Sequence, residues 1–167
     1  MSLDSFNILL CHNQWATHRV LELAGRLECD ELRRPFAIGP GSLVATLWHI
    51  VEEMEGWTDL ANHRPPRKGT GPPILDLDRI RARFDAVTEE LRELIRARAA
   101  GGTIEGETTF PHVSGRDVTN PHVICVLNAL VHGTHHRAQC LNMLRQLGIS
   151  PLPSLDVCDW YYQLENP

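Results

Sequence analysis

The chain lacks paired cysteines at any metal-binding or redox spacing: Cys11, Cys29, Cys125, Cys140 and Cys158 are scattered, odd in number and form no C-x-x-C. That excludes a disulfide framework and a four-cysteine zinc site. Cys125 and Cys140 read as small packing residues, with a thiolate ligand as the alternative. No window approaches 18 uninterrupted apolar residues, so no membrane span is expected. The opening Met-Ser-Leu-Asp-Ser has no basic n-region or apolar stretch behind it, so no signal peptide is expected and the protein is placed in the cytoplasm. Positive charge is not in excess either. A formal charge of −5 argues against nucleic-acid binding through phosphates, which needs a concentrated Lys/Arg face. The one arginine-rich segment, Arg79 to Arg98, is interleaved with Asp85, Glu89, Glu90 and Glu93, the pattern of a solvated helix face. Internal repeats and low-complexity stretches are missing as well.

What is present is helical periodicity. At 167 residues the chain can bury one core without staples, and a single domain over 1–167 is expected. Phe6, Leu9, Leu10, Val20, Leu21, Ala24 and Leu27 predict a first helix, capped by Asp4 or Ser5; Asn13, Gln14 and His18 interrupt its face, as a solvent side or a cavity lining would. Gly-Pro-Gly-Ser42 ends a loop and caps a second helix with Leu43, Leu47, Ile50, Met54 and Trp57 in phase. His49 lies beside that stripe with Glu53 one turn on, a ligand and its neighbour or a surface ion pair. Residues 63–75 are too rich in Pro and Gly for a helix and are long enough to carry the chain to the far end of a bundle; His63 there is expected to be solvated. Leu77, Ile80, Phe84, Val87, Leu91, Leu94 and Ile95 predict a third helix ended by Gly101-Gly102. Residues 103–120 suit an extended loop or small hairpin, in which His112 is a possible loop ligand. A fourth helix follows over 121–147, capped by Thr119 or Asn120 with Pro121 in its first position. The tail carrying Trp160, Tyr161, Tyr162 and Leu164 is expected to pack across an end or groove. The sum is an all-α, four-helix bundle with one long crossover connection.

The fourth helix holds the densest chemistry. Val131-His-Gly-Thr-His-His-Arg-Ala-Gln139 places His132 and His136 four apart, so both rings leave one face, on a stripe shared with Cys125, Ala129, Met143 and Leu147. His135 falls off that stripe towards Asn128, Gln139 and Asn142, and is the weaker ligand candidate. A buried imidazole with an unpaired nitrogen costs roughly 1–3 kcal/mol, so each ring needs partners. A metal ion supplies one; a carboxylate or carbonyl in the core supplies another.

His49, in Leu-Trp-His-Ile-Val-Glu-Glu-Met-Glu-Gly-Trp57, followed by His132-Gly-Thr-His-His136-Arg-Ala-Gln139, resembles the DinB-like metalloprotein family. The likeness covers most of the chain; Ala138 stands where the family's His-Arg-Gly-Gln ending has Gly. The resemblance implies metal ligands at His49, His132 and His136, a four-helix bundle, and zinc or nickel, with iron also suited to imidazole. It further implies a homodimer acting on a small molecule: a transferase of a low-molecular-weight thiol (bacillithiol, mycothiol or glutathione type), or a thiol-dependent isomerase. A metal-bound thiol is held as nucleophilic thiolate at neutral pH. Helical phase then suggests Glu53 and Gln139 as catalytic groups, Glu53 orienting a ligand or relaying a proton and Gln139, with Asn13, shaping the pocket. A non-catalytic metal or ligand binder and a metal-dependent hydrolase are the competing readings.

Overall fold

The Ser42 hydroxyl accepts a hydrogen bond from the Ala45 amide at 3.2 Å, the cap that Gly-Pro-Gly-Ser predicts, and the helix it opens runs to Ala61. The computed structural model describes residues 5–67, 76–99, 104–111 and 114–165. In chain order the elements are α1 (Ser5–Ala24), α2 (Cys29–Leu32), α3 (Leu43–Ala61), α4 (Leu77–Ala99), β1 (Glu107–Pro111), β2 (Asp117–Pro121), α5 (His122–Gln146) and α6 (Val157–Glu165). The four long helices are those the periodicity predicts. Asp4, Gly101, Gly102 and His112 lie outside the described residues.

Around the bundle the order is α1, α5, α3, α4, with α3 and α5 sharing the largest interface. Helix directions follow from the polar contacts. His18 meets Asp85 while Gln14 meets Arg92, so α1 and α4 run antiparallel. Glu55 binds Arg83, and further along Asp59 is tied through Arg64 and Arg67 to Glu90, so α3 and α4 run parallel. Parallel neighbours need a connection that returns along the bundle, the part expected of the Pro/Gly-rich segment after α3, whose residues 68–75 lie outside the described residues. The core is built from the expected stripes: Ile80, Phe84, Val87, Leu91 and Ile95 of α4 are almost wholly buried, as are Leu43, Leu47, Ile50 and Met54 of α3. Each contributes roughly 1.5–3 kcal/mol by leaving water.

Several expectations are corrected. Thr119 and Asn120 do not cap the last helix, because 117–121 pair with β1 in the register Thr108↔Asn120 and Phe110↔Val118. Pro121 closes that strand, where its missing N–H matters least, and α5 begins at His122. The charged face of α4 is more than solvated: Arg83 reaches across to the buried carboxylate of Glu55 and lies 4.4 Å from the Trp48 ring centroid. Asn13 is a core residue, 1% exposed, on which Arg137 donates. The tail forms a short helix, α6, in which Trp160 alone is buried while Tyr161, Tyr162 and Leu164 are exposed; a helix turns only one of three consecutive residues inward. The single turn α2 has a signal that periodicity overlooks, since Glu31 accepts from the Glu28 amide at 2.9 Å in a capping box.

Candidate metal centre and its pocket

His49 on α3 and His132 and His136 on α5 face one another across the α3–α5 interface. One nitrogen from each falls within 4.8 Å of the others, a group that could hold a metal ion. The ring centroids lie 4.5 Å apart for His49 and His136, 4.6 Å for His132 and His136, and 5.4 Å for His49 and His132. The α-helical repeat places the α5 pair a turn apart; adjacency to α3 supplies the third ring.

The donor chemistry fits a divalent ion. Ligation needs neutral imidazole, and both α5 rings are biased to that form. Burial, then the neighbouring His136, push His132 down to about 4 against the opposing charge of Glu53. Burial also lowers His136, against the raising effect of its bond to Gln139. His132 Nδ1 is buried without a hydrogen-bond partner, an orphan that an ion or water would satisfy. His136 donates through Nδ1 to the Gln139 side-chain oxygen at 2.9 Å, which leaves its Nε2 lone pair for ligation.

Gln139 therefore stands behind His136 as its hydrogen-bond partner. Its amide nitrogen also bonds His135 Nε2 at 2.9 Å, so the exposed His135 stands outside the cluster and holds the side chain that bonds His136. Glu53 lies on the other side, in a cavity of about 520 Å³ lined also by His49, His132 and Asn120. The Trp57 indole donates to its carboxylate at 3.1 Å. Trp57, Leu60 and Pro66 form one apolar wall of this cavity, and the inward face of the hairpin, Phe110 and Val118, forms another. Asn13 does not line it. Asn13 instead stands between Met54 and Arg137 in the core behind the triad.

Arg137, His122 and His12 escape the sequence reading. Arg137 is 2% exposed and donates to Asn13, Thr17 and Thr134, joining α1 to α5 directly behind His136. His122 is wholly buried and bonds the Glu105 carbonyl and Thr108 hydroxyl, each at 3.0 Å, which fastens the hairpin to α5. His63 is exposed, as expected, but its ring lies 4.1 Å from that of His122. His12 holds the Leu155 carbonyl at 2.8 Å. None has a spacing signature; each is defined by a partner distant in sequence. Cys125 and Cys140 are packed in the core, and burial pushes the Cys140 thiol up to about 12.

The lowered His132 value has a measurable consequence. Between pH 6.5 and about 4 the unfolded chain binds a proton at this ring that the folded chain refuses, so stability falls as pH falls through that window. Metal-free protein is expected to lose melting temperature from pH 7 to pH 5, with a shallower decline in His132→Ala. Thermal melts across that range test it.

A four-helix bundle whose core gathers three imidazoles from facing helices belongs to the class that builds metal sites from inward side chains. The DinB family model matches residues 1–162, and the chain belongs to the DinB family. Its fold is similar to the crystal structure of a candidate DinB-family member from Exiguobacterium sibiricum 255-15, at 18% identity and a TM-score of 0.67, covering 93% of this chain and 100% of that one. It is also similar to a DinB-like protein from Bacillus cereus ATCC 10987, at 20% identity and a TM-score of 0.62, covering 84% of this chain and 90% of the other. No curated protein matches the sequence. Among the described residues no helix is long and apolar enough to cross a membrane.

Proposed function

We propose that the chain is a divalent-metal-dependent thiol S-transferase, using zinc or nickel at His49, His132 and His136 to join a low-molecular-weight thiol to a small electrophile. The observation that carries this reading is the convergence of three imidazoles beside a carboxylate in an apolar-walled cavity. When bound, the ion supplies positive charge that favours thiolate over thiol at neutral pH. The rest falls to the chain's own groups. Glu53, steadied by the Trp57 indole, takes the thiol proton. The sulfur lone pair forms the new S–C bond, and the leaving group departs with the electron pair of the bond it breaks. The apolar walls of the cavity give water few hydrogen-bonding partners beside the electrophile, where it would compete with sulfur. We take the working unit to be a cytoplasmic homodimer.

Metal-loaded protein is expected to turn over a small electrophile with at least one common cellular thiol. Glu53→Gln should keep its metal and lose about 100-fold in rate, the scale of general-base catalysis. No turnover with any thiol tried would overturn the transferase reading; hydrolysis of an ester without thiol would point to the hydrolase alternative.

A further inference from the structure

We infer that the hairpin side of the cavity beside the triad takes an uncharged, ring-bearing organic molecule in preference to a carboxylate on the same ring, an assignment that rests on reading this site as a small-molecule site. The walls supply the argument. Trp57 and Phe110 meet edge to face with centroids 5.6 Å apart at 88°, so each leaves ring surface for a further aromatic partner. Leu60, Pro66 and Val118 extend the apolar surface around them.

The polar groups are few and of one kind. Among the described lining residues Glu53 is the only carboxylate and there is no lysine or arginine; Asn120 and the two imidazoles are neutral donors or acceptors. The neighbouring arginines are held by carboxylates: Arg64 and Arg67, on either side of Pro65 and Pro66, both bind Asp59 and Glu90. One anionic atom can be received at the triad itself. A carboxylate lodged against the hairpin wall would instead meet hydrocarbon, with no lysine or arginine among the described lining residues to replace its lost hydration.

The hairpin explains why selectivity resides here. Two strands alone are marginal in water, and this pair is tethered at its base by the His122 amide to the Gly106 carbonyl at 2.9 Å and by Thr108 to the Leu60 carbonyl at 3.0 Å. Its inward face carries Phe110 and Val118 into the cavity, while Thr109 and Thr119 bond each other on the outer face. The hairpin therefore forms the cavity's apolar wall without belonging to the bundle core.

A matched pair of probes tests the assignment: 2-naphthalenemethanol, uncharged, against 2-naphthoate, the same ring with a carboxylate. Isothermal titration uses the full-length protein after chelator treatment, so that no ion captures the carboxylate, with metal uptake measured separately on the same preparation. The uncharged probe should bind at least tenfold tighter than naphthoate, shift the Trp57 indole resonance, and weaken about tenfold in Phe110→Ala or Val118→Ala. Equal or tighter binding of naphthoate, binding indifferent to both hairpin variants, or no binding of either probe at millimolar concentration would overturn it. Because the titration omits the ion, these outcomes leave the metal reading to stand or fall on uptake alone.

Discussion

Replacing His132 and His136 together by alanine abolishes divalent-metal uptake: wild-type protein without a histidine tag takes up close to one equivalent of zinc or nickel, and the double variant takes up none. The two rings contribute two of the three clustered nitrogens, and His49 alone cannot retain an ion. Losing only the hydrogen bond behind a ligand costs about 10–100-fold in affinity, so losing two ligands exceeds that range. The fold should survive. His136 is 8% exposed and His132 sits at the cavity edge, while the packed stripes of α3 and α4 are untouched. Removing the orphaned His132 Nδ1 even relieves an unsatisfied buried group. Elemental analysis with circular dichroism on the same samples checks both halves. Wild-type protein that stays free of metal after incubation with zinc and nickel would remove the basis of the transferase reading.

The residues of this site were legible to different degrees, for physical reasons. His132 and His136 are visible because a helix converts a spacing of four into a shared face, and the apolar neighbours say that the face is inward. His49 is not linked to them by any spacing. The α3 periodicity sets it beside the apolar stripe, and only the resemblance joined it to α5 before the structure placed its ring 4.5 Å from that of His136. Gln139 was seen as a pocket-shaping group, yet the i, i+3 relation points its oxygen at His136 Nδ1 rather than into the cavity.

The cavity wall was hardest to see. Phe110 and Val118 face the same side only because Phe110 pairs with Val118 and Thr108 with Asn120, and one residue of slip in β2 would turn Val118 away from the face that Phe110 keeps. The turn between the strands does not announce that register. Arg137 is a similar case. A cation following His136 suggests a solvated position, but the helical phase that turns His136 towards α3 turns Arg137 towards α1, where Asn13 and Thr17 receive it. The long stripes of α3 and α4, by contrast, were read almost residue for residue, because each buried position there is decided within its own helix.

Substituting Gly39 is expected to weaken metal binding through a residue it never bonds. Gly39 sits at φ 55°, and a Cβ there would lie 2.2 Å from the Gln139 side-chain oxygen and 3.0 Å from its carbonyl carbon. That oxygen is the acceptor that holds His136 Nδ1–H. A glutamine tip is flexible, so the clash is relieved by swinging Gln139 aside, which releases His136 from its orientation and tautomer. Gly39→Ala should therefore lose about 10–100-fold in metal affinity, matching Gln139→Ala. It should also lose about 1–2 kcal/mol of stability from the left-handed backbone. Gly39→Asn separates the two effects: asparagine tolerates this conformation better but carries the same Cβ, so affinity falls with a smaller loss in stability. In the Gly39→Ala, Gln139→Ala double variant the affinity should equal that of Gln139→Ala alone, since the group displaced by the new methyl is gone. Nitrogen shifts of His136 in metal-free protein give an independent reading, with Nδ1 protonated in wild type and a mixture of tautomers in either single variant. Wild-type affinity in Gly39→Ala, or additive losses in the double variant, would break the chain from Gly39 through Gln139 to His136.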